Sequence, residues 1–155
     1  MKTVYFDNNA TTQVAAEVLD TMLPYFRELY GNPSSMHTFG GQVGQKIRAA
    51  REQVAALIGA GPDEIIFTSC GSESDNTAIH SALATQPDKK HIITSRVEHP
   101  AIRSLCAHLV TQGYRITELP VDKSGLLDLE SLEKNMTPDT AIVSLMWGNN
   151  ETGVI

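Results

Sequence analysis

The chain has 155 residues, 41% of them hydrophobic, enough for one domain with a real core. Its 12 Lys and Arg stand against 18 Asp and Glu, a formal charge of -6, so no basic footprint marks it for nucleic acid or an anionic membrane. Cys70 and Cys106 lie far apart in sequence and encode neither a disulfide framework nor a zinc ribbon, so the expected compartment is the reducing cytoplasm.

The opening "MKTVYFDNNATT" lacks the apolar core of a signal peptide, and no apolar run is long enough to span a bilayer. Thr3 to Phe6 reads as a short strand. Val14, Val18, Met22 and Phe26 then recur every four residues, the spacing of an amphipathic helix. "YGNPSS" is loop chemistry, and Val43, Ile47, Val54 and Ile58 predict a second helix that stops near Gly59 and Gly61. Residues 1–62 thus form a helical amino-terminal segment.

From Glu64 the pattern alternates. Candidate strands "EIIFT", "HIITS", "YRITEL" and "AIVSLMW" are separated by candidate helices after Ser72, Pro100 and Asp128. The strands are short, β-branched and apolar on both faces, as buried parallel strands are. The expected fold class is α/β, a mostly parallel sheet flanked by helices and preceded by the helical segment. "SLMWGNNETGVI" finishes a strand, makes a polar turn and stops as a new apolar stretch begins, with no polar element to cover a sheet edge. The expectation is a fragment of a longer chain.

In open α/β sheets, ligands gather at the carboxyl ends of the strands. That rule brings "SCGS", "RVEH", "PVD" and "GNNETG" to one edge, and with them Gly71, Ser72, His99 and Asn150. Gly71 and Ser72 offer close backbone approach and a hydroxyl at a helix start that attracts anions. "SESD" is also a capping box, with Ser72 as N-cap and Asp75 reaching back. His99 precedes Pro100, so it falls near a helix start, either as a capping or surface residue or as a neutral ring able to stack on a ligand or shuttle a proton. Asn149 and Asn150 can donate amide hydrogens to an oxyanion or simply make a turn.

Metal ligation has little support. Cys106 and His108 diverge on a predicted helix, and His37, His80 and His91 read as surface or helix-end residues. Neither a GxGxxG nor a P-loop is present.

Five motifs, "YFDNNATT", "YGNPSSMHTFG", "EIIFTSCGSESDN", "VEHPA" and "WGNNETG", in this order and at these intervals, resemble the amino-terminal part of the cysteine desulfurases, pyridoxal-phosphate enzymes of the class V aminotransferase group. The likeness covers essentially the whole chain and is nearer the nitrogen-fixation branch than the housekeeping one. It implies that residues 63–155 are the first half of the large, cofactor-binding domain of fold type I. By the same resemblance, Gly71 and Ser72 bind the cofactor phosphate, with Ser72 where Thr is common. His99 stacks on the pyridine ring and assists proton transfer as the one catalytic residue carried over, and Asn150 contacts the ring's phenolic oxygen.

The implied activity converts L-cysteine to L-alanine and leaves sulfur as a persulfide on an enzyme cysteine, for transfer to an iron–sulfur scaffold protein. The family is a homodimer. Its Schiff-base lysine, pyridine-nitrogen aspartate, substrate arginine and sulfur-carrying cysteine fall beyond Ile155 by this likeness, so the chain alone is expected to be inactive and Cys70 to be a small packing residue. Lys2, Lys46, Lys89, Lys90, Lys123 and Lys134 fall at a terminus, on polar helix faces or in turns. Two other readings stand beside this one: a non-catalytic α/β phosphate-binding or interaction module, and a related enzyme such as a selenocysteine lyase or aminotransferase.

Overall fold

In the computed structural model, which describes residues 3–155, the fourfold spacing of Val18, Met22 and Phe26 produces helix α1 (Ala16–Arg27). Helix α2 (Thr38–Ile58) begins at His37, whose Nδ1 accepts the Gly40 N–H at 3.1 Å, and ends at Gly59, left-handed with φ 71°. That conformation is open to glycine and strained for other residues, which is why the helix stops there. A 3-10 turn follows at Pro62–Glu64.

These elements belong to a unit that runs to Phe67; a second unit runs from Thr68 to Ile155. In the first, α2 buries Gly40, Val43, Gly44 and Ala55, and Tyr30 meets Phe39 edge to face, with ring centroids 5.2 Å apart. Gly40 is fixed by space. A Cβ there would run into the Asn32 carbonyl oxygen and stand 2.8 Å from Ser35 Cβ. Gly40→Ala is therefore expected to destabilise the protein by about 1–3 kcal/mol, read as a lower urea midpoint; an unchanged midpoint would show that the 32–35 turn gives way freely.

The second unit is built on three parallel strands, β1 (His91–Ser95), β2 (Arg115–Leu119) and β3 (Thr140–Ser144), in the order β2-β1-β3. Helices α3 (Gly71–Thr85), α4 (Pro100–Thr111) and α5 (Leu129–Asn135) complete it. β1 is buried along its whole length, as its β-branched, two-faced pattern requires of a central strand. Ile92 stands in register with Ile116 on one side and Ile142 on the other. This row packs against Ile79 and Leu83 of α3 and Ile102, Leu105, Cys106 and Leu109 of α4 to form the core. Each such side chain, fully buried, contributes roughly 1.5–3 kcal/mol.

Several expectations change. Neither Thr3–Phe6 nor "EIIFT" is a strand. Backbone N–H and C=O groups hold an extended conformation as a strand only when a neighbour completes the ladder, and among the described residues the three strands pair with one another. Ile66 is 73% exposed, so its apolar character does not reflect burial in this structure. His91, expected at the surface, is wholly buried in β1, its ring held between the hydroxyls of Thr140 and Thr117 at 2.8 Å each. Burial, and then the nearby Arg115 charge, keep its pKa below the usual histidine value, so the ring is a neutral part of the sheet.

Among the described residues no helix is long and apolar enough to cross a membrane, and no cluster of His, Cys, Asp and Glu could hold a metal.

Candidate cofactor site

Helix α3 starts two residues earlier than the capping-box reading places it. Its N-cap is Cys70, and Gly71 and Ser72 are already helical. Ser72 therefore has no capping duty, and Asp75 sits too far along to reach back. Glu73 does the reaching instead: its carboxylate accepts both the N–H and the hydroxyl of Ser69 at 2.6 Å, which hold its pKa below the ordinary glutamate value, the hydroxyl most strongly. A Cβ built on Gly71 meets nothing within 4 Å, and its φ is not positive. Glycine leaves free space over the helix start there; it does not relieve a strained backbone.

His99 is the N-cap of α4. Its Nδ1 accepts the Ala101 N–H at 3.1 Å, and Pro100 follows in the first turn. An acceptor Nδ1 puts the proton of the neutral ring on Nε2. With the cap intact, His99 therefore donates through Nε2–H, and its Nδ1 can accept from another group only if the ring turns away from Ala101.

Ser72 and His99 line one open cleft of about 550 Å³, together with Asn76, His80, Ser104 and His108 along α3 and α4. Two of the predicted residues are thus brought together with Gly71 beside them. Asn150 is not on that cleft. It lies in the exposed turn after β3, its amide donating to Glu151 at 3.0 Å. Its neighbour Asn149 shapes the turn, its Oδ1 accepting the N–H of Glu151 and of Thr152 at 2.9 Å each.

Two carboxylates have structural roles that the sequence pattern does not announce. Glu73 ties down the loop before α3, and its signal is the acid three residues past a cap, the same signal that "SESD" offers two residues further on. Glu98 is only 6% exposed; its Oε1 accepts the Ser95 hydroxyl at 2.9 Å and the Met146 N–H at 2.8 Å. Nothing in "RVEH" separates a buried Glu from a solvated one.

Cys70 also departs from expectation: it is exposed, not packed. No side-chain cap bond forms, but the Glu73 N–H, the Ser69 hydroxyl 3.8 Å away and the Ser72 N–H all favour its thiolate and lower its pKa. Cys106 is buried, which pushes its thiol the other way. Iodoacetamide near neutral pH is accordingly expected to label Cys70 well before Cys106, as read by peptide mass spectrometry; equal labelling would contradict this.

With this geometry in hand, the comparisons with known proteins decide the family. The aminotransferase class-V model matches residues 4–155. The chain belongs to the class-V aminotransferase family. The cysteine desulfurase NifS of Azotobacter vinelandii is 56% identical over 156 residues, covering all of this chain and 39% of that protein. A solved NifS-like protein superposes with a TM-score of 0.90 at 44% identity, covering 96% of this chain and 41% of that one. A solved SspA in complex with cysteine has a TM-score of 0.86 at 36% identity, covering 96% and 43%. The chain spans 39% of the length of these curated relatives. These likenesses establish the fold as the α/β type of the NifS-like, pyridoxal-phosphate-dependent enzymes.

The class-V cofactor can be set against the residues present. A phosphate needs donors and unfilled space at a helix start, and the first turn of α3 supplies the open side of Gly71 and the Ser72 hydroxyl. A pyridine ring needs a flat neighbour, and the His99 imidazole lines the same cleft. These residues fit the group.

Proposed function

We propose that this chain is the amino-terminal part of a pyridoxal-phosphate-dependent cysteine desulfurase. The observation that carries the reading is that Ser72 and His99, at the starts of two different helices, line one open cleft. The five motifs and the relatives' names support it from a separate direction.

In this reading the first turn of α3 holds the cofactor phosphate. Ser72 donates its hydroxyl, Gly71 leaves the approach clear, and the helix dipole favours the negative charge. His99 covers the ring face and donates through Nε2–H, while its Nδ1 stays on the Ala101 amide. Asn150, in the turn after β3 and off the cleft, would offer its amide to the ring's phenolic oxygen on leaving Glu151. Bound pyridoxal phosphate supplies an electron sink for carbanion chemistry on the amino acid. The net reaction is L-cysteine plus an enzyme thiol giving L-alanine plus an enzyme persulfide, with the sulfur moving from substrate carbon to enzyme sulfur and a proton returning to the carbon.

The complete protein is then a cytoplasmic homodimer that hands sulfur to an iron–sulfur scaffold, and the name NifS among its relatives favours the nitrogen-fixation branch. Residues 1–62 are its helical amino-terminal segment and 63–155 the first half of its large domain. The Schiff-base lysine and the sulfur-carrying cysteine belong to sequence after Ile155, so the 155-residue chain is inactive by itself and Cys70 is not the sulfur carrier.

The complete protein titrated with pyridoxal phosphate should develop a visible absorption band at one equivalent per subunit. Ser72→Ala should weaken that binding about tenfold or more, as the loss of a hydrogen bond to a charged group does. Unchanged affinity in Ser72→Ala would remove Ser72 from the cradle.

A further inference from the structure

We propose that Glu98 is a positioning residue, clasping the loop that bears His99 to the turn that bears Asn150 and so setting the distance between two groups that meet the cofactor. The inference rests on the pyridoxal-phosphate reading above.

The β1–β3 ladder ends at Thr94 and Ser144. Beyond it, the backbone of the two strands no longer pairs, and side chains take over. Glu98 Oε1 accepts from Ser95, at the end of β1, and from the N–H of Met146, two residues past β3. Asn149 makes a second link, its Nδ2 donating to the Val97 carbonyl at 3.3 Å. Both links run between residues 95–98 and 146–149, and each flanks a predicted site residue: Glu98 precedes His99, and Asn149 precedes Asn150.

A carboxylate is a costly choice for this place. Burying one carries a desolvation penalty that hydrogen bonds only offset, and an apolar side chain of similar volume would pack there without it. What the apolar side chain would lack is the acceptor that fixes Met146 N–H against the end of β1. The contact therefore specifies position more than it adds stability. Ser95, Glu98, Met146 and Asn149 also line an apolar cavity of about 290 Å³ that neither His99 nor Asn150 enters, so Glu98 acts from behind the site and does not touch the reacting atoms.

Glu98→Gln keeps an oxygen that can accept from both partners; Glu98→Ala removes it. In the complete protein, with pyridoxal phosphate left out, hydrogen exchange of the 145–152 segment should speed up about tenfold in Glu98→Ala, the scale of one lost hydrogen bond, and stay close to wild type in Glu98→Gln. Cofactor affinity by visible titration should follow the same order. Asn149→Ala cuts the other link but also frees the Glu151 and Thr152 N–H groups, so it is read at residues 145–148 alone, where it should reproduce the Glu98→Ala pattern, and it serves if that variant fails to fold. Wild-type exchange and affinity in both alanine variants would overturn the clasp, and so would equal impairment in Gln and Ala, since geometry would then not be what Glu98 provides. A wild-type protein that binds no pyridoxal phosphate would overturn the functional reading, while the exchange rates would still decide the clasp.

Discussion

Asn at position 99 is expected to leave the protein folded and to cut kcat/KM for L-cysteine by about 10²-fold or more, the usual worth of a positioned proton donor. The two halves of this expectation come from two atoms of one ring. Nδ1 caps α4 by accepting the Ala101 N–H, and an Asn side chain is among the best replacements for that duty. Nε2–H and the flat imidazole face have no counterpart in Asn. Ala at the same position removes both functions and should add a loss of about 1 kcal/mol in stability. If Asn and Ala behave alike in activity but differ in melting, the cap and the chemistry have been separated as argued. If Asn retains wild-type turnover, His99 is a capping residue and nothing more.

The largest effect on stability is expected at Ile92. It is fully buried at the centre of β1, between Ile116 and Ile142 and under both α3 and α4. Ile92→Ala should cost about 2–5 kcal/mol, and Ile92→Val about 0.5–1.5 kcal/mol. Urea denaturation checks both. A small effect in Ile92→Ala would mean that this row can collapse and is not a close-packed centre.

How much of this could be read from the sequence depended on whether the cause was local. "HIITS" announces a central strand through its β-branched, two-faced composition, and it is one; the helix ending at Gly59 follows from a residue that tolerates left-handed backbone. "EIIFT" has the same composition as "HIITS" but lacks a partner strand, and pairing is not a local property. The cap of α3 falls two residues before the one "SESD" suggests, because "SESD" and the stretch "SCGSE" both offer an oxygen and an acid at workable spacing. Which one closes depends on where the helix starts.

The candidate site was legible to a similar depth. Placing Ser72 beside His99 needed only the rule that strand ends collect ligands, although one of the strands invoked does not form and the two residues meet through the packing of α3 on α4. The burial of Glu98 was out of reach, because it depends on a neighbour found across tens of residues, the N–H of Met146.

The most direct measurement supplies the complete protein with pyridoxal phosphate, L-cysteine and a thiol reductant and follows L-alanine by chromatography. The expected result is catalytic formation of L-alanine matched by released sulfide, with none from the 155-residue chain under the same conditions. Cofactor-independent alanine, turnover by the 155-residue chain alone, or a complete protein that binds the cofactor and transaminates other amino acids while leaving the sulfur of cysteine in place would contradict it.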